Sequence, residues 1–372
     1  MSDIALSGYG RLVVKVGSSL LVDADGNVRR AWLETLVADI AALRAGGQQV
    51  IVVSSGAIAL GARKLGLPKG GRASLEDAQA AAATGQIALS GCWAELLDAA
   101  GITAAQILVT LDDLEDRRRY LNASATLERL MGLRVVPVIN ENDSVATGEI
   151  RFGDNDRLAA RVGQAAGAQG VVLLSDVDGL YTSDPTVDPA ATRIDRVEAI
   201  TAKIKAMAKT STSSGMGSGG MASKIEAARI ANAAGADLII VSGGHDHALA
   251  RIGAGGCGTV FVADGAARAR KAWLAGRLTV KGRITVDAGA VKALGNGASL
   301  LPAGARGIEG RFERGDVVDV VTSDGQIIAR GLAEYDSAEA ALVAGKRSDA
   351  LEGVLGYAPR ATLVHRDHMV LV

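Results

Sequence analysis

Four times in the first 180 residues a short apolar run stops at a small polar loop. Residues 12–16 run into Gly17-Ser18-Ser19, residues 50–53 into Ser54-Ser55-Gly56-Ala57, residues 135–139 into Asn140-Glu141-Asn142-Asp143, and residues 171–174 into Ser175-Asp176. Runs this short, without polar alternation, suit strands buried on both faces, and residues 32–44, 75–100 and 120–131 carry helical spacing. Such alternation predicts an α/β fold, a mostly parallel open sheet sandwiched by helices. Ligands of such sheets bind at the carboxyl ends of the strands, so the polar loops are expected to meet there. Residues 105–109 read as a further strand, and residues 238–241 as the strand that closes the sheet. In the Ala-rich stretch 75–100, Gly85 and Gly91 are candidate break points, and the stretch is assigned packing or an oligomer surface rather than chemistry.

At 372 residues the chain is expected to hold more than one unit. After Phe261 the texture changes: residues 266–280 read as a linker, and from Lys281 short strands dominate, at 317–321 and 326–330, with turn chemistry at Asp324-Gly325. Lys and Arg (40) balance Asp and Glu (41), so no global field favours nucleic acid or an anionic membrane. Aromatic residues make up 3% of the chain, which argues against stacking surfaces for single-stranded nucleic acid. Cys92 and Cys257 lack metal-ligand spacing and suit reduced thiols in a cytoplasmic protein. No apolar run approaches the ~20 residues of a membrane span, so the sequence reads as soluble and untargeted. His245 with His247, and His365 with His368, lack the nearby third ligand of a zinc site and read as surface or core histidines.

Lysine is out of place inside a buried strand. Lys15 either snorkels to water or sets an ammonium beside the amides freed by Gly17-Ser18-Ser19, a phosphate-binding combination. The turn from Ser54 to Ala57 opens a helix whose free amides can hold a carboxylate or phosphate. Gly215 to Gly220 satisfies G-x-G-x-x-G, but no strand precedes it, and Asp237 precedes its strand instead of ending it. A Walker A reading fails too, because Lys224 follows Ser223 and is followed by Ile225. A cation on a first helical turn opposes the helix dipole, which makes sense if a phosphate neutralises both. Lys15 and Lys224 thus suggest two cations gripping one phosphoryl group, with Asp156 as the counter-charge that orients them. Residues 145–152 are expected to form a hairpin holding Asp143 and Asn155 on opposite sides of a pocket mouth, and Tyr181 and Asp184 belong to a loop that could wall a nucleotide.

The segments Lys15-Val16-Gly17-Ser18-Ser19, Ser54-Ser55-Gly56-Ala57-Ile58-Ala59, Val136-Pro137-Val138-Ile139-Asn140-Glu141-Asn142-Asp143, Gly153-Asp154-Asn155-Asp156 and Gly217-Ser218-Gly219-Gly220-Met221-Ala222-Ser223-Lys224, in this order and spacing, resemble the amino acid kinase family. The C-terminal part is similar to a PUA domain through Leu300-Leu301-Pro302-Ala303-Gly304 and Arg314-Gly315-Asp316-Val317-Val318. The resemblance implies a catalytic domain at 1–265, a linker at 266–280 and a PUA-like domain at 281–372. It implies ATP-dependent phosphorylation of the side-chain carboxylate of L-glutamate to γ-glutamyl phosphate for proline synthesis, Mg²⁺, feedback inhibition by proline, a homo-oligomer, commonly a tetramer, and hand-over to glutamyl phosphate reductase. Carried over, Lys15 and Lys224 contact the phosphoryl group and Asp156 organises them. Ser55, Gly56, Ala57, Asp143 and Asn155 hold the amino acid. Lys15, Gly17, Ser175, Asp176, Ser218, Gly219, Gly220, Met221, Ala222, Ser223 and Lys224 line the ATP site, and no metal ligand is assigned. Ser54 departs from the Thr of many relatives, and residues before Gly10 extend the usual start. The alternatives are a sister kinase taking N-acetylglutamate or aspartate, or an RNA-binding PUA protein. Interleaved charges such as Glu313-Arg314-Gly315-Asp316 give the latter no basic stripe.

Overall fold

The computed structural model describes residues 5–23, 25–145, 155–210, 220–253, 258–263 and 279–372. The chain divides into two compact units, Met1–Glu115 with Ala123–Ala266, and Asp116–Asn122 with Ala267–Val372. Among the described residues no helix is long and apolar enough to cross a membrane.

The larger unit is built on β1 (Arg11–Val16), β2 (Gln49–Ser54), β3 (Ala104–Val109), β4 (Val136–Glu141), β5 (Gly170–Ser175), β6 (Leu180–Tyr181), β7 (Arg193–Ile194), β8 (Arg196–Val197), β9 (Asp237–Ser242) and β10 (Gly258–Phe261). Eight of these form one sheet in the order β3-β4-β2-β1-β5-β9-β10-β8, while β6 and β7 pair as a separate ribbon. From β3 across to β9 every pairing is parallel. The chain leaves β1 to one side for β2 and later returns to its other side for β5. A crevice therefore opens at the carboxyl ends of β1, β2 and β5.

Val13, Val14, Ile51, Val52, Val172 and Leu173 are fully buried, as strands covered on both faces must be. Each such side chain contributes about 1.5–3 kcal/mol on leaving water. Residues 238–241 do not close the sheet as expected. Antiparallel β10 covers the edge of β9, and β8 adds a two-residue rung beyond it. Strands of four and two residues carry too little periodicity to stand out in a sequence.

Helix Leu75–Ala99 runs unbroken through both candidate break points. At Gly85 a Cβ would lie 1.9 Å from the carbonyl oxygen of Ala57, and at Gly61 one would lie 1.8 Å from that of Ala81. These glycines are the contact points of two crossing helices, Leu75–Ala99 and Ala57–Leu65, whose backbones touch because neither carries a side chain there. Strand β4 continues two residues further than the apolar pattern, because Asn140 and Glu141 pair with Leu108 and Val109 of β3.

The smaller unit folds around β11 (Gly282–Val286), β12 (Ala305–Gly310), β13 (Val317–Val321), β14 (Ile327–Ala333) and β15 (Val364–Leu371), in the order β12-β11-β13-β14-β15. Its core includes Ile284, Phe312, Val318, Val320 and Tyr335. Gly325 turns the chain between β13 and β14 at φ +84°. Of the expected linker, residues 266–278 lie outside the described residues.

Candidate active site

Lys15 is the fifth residue of β1, Asp156 lies in the first turn of helix Asn155–Ala166, and Lys224 lies in the first turn of helix Met221–Ala233. The fold brings the three together. Lys15 Nζ is 2.7 Å from Asp156 Oδ1, and Lys224 Nζ donates to Asp156 Oδ2 at 3.0 Å. All three are buried, at 8%, 1% and 4% exposure for Lys15, Asp156 and Lys224. Burial penalises the Asp156 carboxylate, but Lys15 and Lys224 outweigh it and hold its pKa below the ordinary range. Asp156 also sits at the favourable end of its helix dipole, whereas Lys224 opposes its own and is held by the carboxylate. Among the described residues two ammonium groups thus face one carboxylate, an arrangement that favours an anionic phosphoryl group beside them.

Beside this cluster the ends of β2 and β4 carry the second set. Asn155 Nδ2 donates to Ser55 Oγ at 2.6 Å, to the carbonyl of Ser54 at 3.4 Å and to Asn140 Oδ1 at 3.2 Å. Gly56 adopts φ +106°, a left-handed conformation suited to glycine, and lets the chain turn directly into helix Ala57–Leu65. Ala57, Gln86, Asn142, Asp143 and Ser144 help line a cavity of about 430 Å³. Asp143 is 7% exposed, and burial raises its pKa to about 6 against the opposing charge of Arg72. Asp143 Oδ1 and Asn155 Oδ1 are buried acceptors without a hydrogen-bond partner among the described residues. Such groups call for a donor from a ligand or water.

On the other side of Lys15, Gly17 follows β1, and Ser175 ends β5 with its Oγ donating to Asp176 Oδ1 at 3.0 Å. Gly220 caps helix Met221–Ala233, so Met221, Ala222 and Ser223 form its first turn together with Lys224. Ser218, Gly219, Gly153, Asp154 and the hairpin expected at 145–152, apart from Val145, lie outside the described residues. Asp184 is buried and accepts from the amide and hydroxyl of Thr186, so it braces its own loop. His247 Nδ1 lies 2.8 Å from Asp39, and His368 lies 3.6 Å from Glu334 in the smaller unit. No group of three or more His, Cys, Asp or Glu that could hold a metal ion occurs among the described residues.

Two residues of the Ala-rich helix, which sequence reasoning assigned to packing, reach this region. Trp93 Nε1 donates to Ser54 Oγ at 2.9 Å, and Gln86 Oε1 accepts from Asn140 Nδ2 at 2.8 Å. Their periodicity is that of an ordinary packed helix, so nothing in the local sequence sets them apart.

The chain matches the amino acid kinase family over residues 10–242 and the PUA domain over residues 282–355. Glutamate 5-kinase of Sphingopyxis alaskensis is 66% identical over 362 residues, 97% of each chain. Glutamate 5-kinase of Zymomonas mobilis is 63% identical over 362 residues, 97% of this chain and 91% of the relative. Among solved structures, carbamate kinase from Giardia lamblia bound to AMP-PNP superposes with a TM-score of 0.50 at 14% identity, covering 69% of this chain and 99% of that one, a likeness of fold alone. With a family match over most of its length and relatives this similar from end to end, the chain belongs to the amino acid kinase family, grouping with its glutamate 5-kinases.

Proposed function

We propose that the chain transfers the γ-phosphoryl group of ATP to the side-chain carboxylate of L-glutamate, giving γ-glutamyl phosphate, the first step of proline biosynthesis. The observation that carries this reading is Asp156 pinned between the ammonium groups of Lys15 and Lys224, at 2.7 and 3.0 Å, where the strand ends converge. A glutamate carboxylate, with an ordinary pKa near ~4.3, is already anionic at neutral pH and needs no general base. The barrier is charge: an anion must approach a triphosphate. One carboxylate oxygen forms a bond to the γ-phosphorus while the bond to the β,γ-bridging oxygen breaks, and ADP leaves with the electron pair. Lys15 and Lys224 bear on the oxygens where charge collects. Asp156 moves no proton; it keeps both ammonium groups aimed, so little reorganisation is needed as the transition state forms.

In this reading Asp143 and Asn155 Oδ1 take the α-ammonium group, supported by two buried acceptors without a hydrogen-bond partner among the described residues. Ser55 and the amides following Gly56 take carboxylate oxygens. Gly17, Ser175, Asp176 and the segment from Ser218 to Lys224 line the nucleotide. Mg²⁺ accompanying ATP would supply further neutralisation of phosphate charge, and no residue is assigned to hold it. Feedback inhibition by proline, a homo-oligomer, taken to be a tetramer, and direct hand-over of the labile acyl phosphate to glutamyl phosphate reductase in the cytoplasm complete the proposal. Glutamate, ATP and Mg²⁺ with hydroxylamine should yield γ-glutamyl hydroxamate. A product from N-acetylglutamate or aspartate, and none from glutamate, would move the chain to a sister specificity.

A further inference from the structure

The orientation of three side-chain amides can be read from a single fixed point. The carbonyl of Ser54 can only accept, so the Asn155 group facing it must be the donor Nδ2. That nitrogen also donates to Asn140, which must present Oδ1 and so turns its Nδ2 outward, towards Gln86 Oε1 at 2.8 Å. Gln86 is thereby locked with its oxygen against Asn140 and its Nε2 turned away. Gln86 Nε2 has no partner among the described residues, and Gln86 lines the same cavity as Asp143 and Ala57. The end of the relay is a donor of two hydrogens beside a carboxylate suited to an ammonium group.

We propose that Gln86 is a specificity-determining residue whose Nε2 donates to the α-carboxylate of the amino acid substrate. This rests on the reading of the site as an amino acid kinase centre accepting glutamate. The physical basis is that an α-amino acid presents an ammonium and a carboxylate on one carbon, and the cavity offers a matching pair, Asp143 for the first and Gln86 for the second. The contact lies at the end of the substrate remote from the reacting carboxylate, so it acts on binding more than on the chemical step.

The test combines a protein change with a substrate change. Hydroxamate formation is followed for wild type, Gln86→Leu and Gln86→Glu, with glutamate and with 4-aminobutanoate, which keeps the amino group and the reacting carboxylate but lacks the α-carboxylate. Gln86→Leu should raise KM for glutamate at least tenfold with kcat within about threefold, and leave KM for 4-aminobutanoate nearly unchanged, because the partner is already missing. Gln86→Glu should be worse than Gln86→Leu with glutamate, since it sets like charges together, and it retains the acceptor for Asn140 if the leucine variant fails to fold. Equal losses with both substrates, or no loss with glutamate, would overturn the inference. A wild-type enzyme that makes no hydroxamate from glutamate would instead overturn the reading on which it rests.

Discussion

Asp143 carries an expected trade between stability and binding. Its carboxyl has an ordinary value of 3.8 and is raised to about 6, chiefly by burial. Between these values the folded chain binds more protons than the unfolded one, so this group's contribution to stability falls as pH rises through the window. Above pH 6 the buried charge costs roughly 3 kcal/mol, from 1.36 kcal/mol for each pH unit between 3.8 and about 6. Below about pH 4 the cost is gone. Asp143→Asn removes the charge at nearly constant volume, but its amide inherits a site where Oδ1 has no partner among the described residues, so part of the gain is lost. The variant should therefore unfold a few degrees higher than wild type at pH 7.5, at about 2–4 °C per kcal/mol for a unit of this size. The difference should narrow as pH falls from 6 to 4 and vanish below about pH 3.8. In the same melts a hundredfold excess of glutamate over its Kd should stabilise wild type by about 2.7 kcal/mol and the variant hardly at all. A variant that melts below wild type at pH 7.5, or a difference independent of pH, would refute the reasoning.

Lys224→Ala should lower kcat about 10²–10³-fold, the loss typical of one preorganised charge at a developing anion, with glutamate KM within about threefold; Asp156 keeps Lys15 at 2.7 Å, and circular dichroism should show an intact fold. Gly85→Ala should destabilise by at least ~1–3 kcal/mol in thermal melts and raise glutamate KM, because the new Cβ would press on the Ala57 carbonyl. Gly91→Ala, in the same helix with open space around it, should be neutral or stabilising by up to ~1 kcal/mol.

The parts of the candidate site legible in the sequence are those that break a local rule. Lys15 is a charge in an apolar strand, and Lys224 is a cation at the wrong end of a helix. Each is unfavourable alone, and its pairing with Asp156 offsets that cost only when distant segments meet. One counter-charge makes both tolerable, and Asp156, which obeys the dipole rule at its own helix start, supplies it. The parallel sheet was legible for a related reason, since strands buried on both faces leave no polar alternation to misread. Gln86 and Trp93 break no rule. They sit at helical spacing in an Ala-rich helix, and their partners Asn140 and Ser54 come from the ends of β4 and β2, distant in the chain. In the sequence Gly85 looks like a helix break, because a missing side chain is the same signal whether it frees the backbone or admits a neighbour. A residue that obeys its local pattern and acquires its role by tertiary approach has no local signature, so the amide relay from Asn155 to Gln86 exists only in the folded chain.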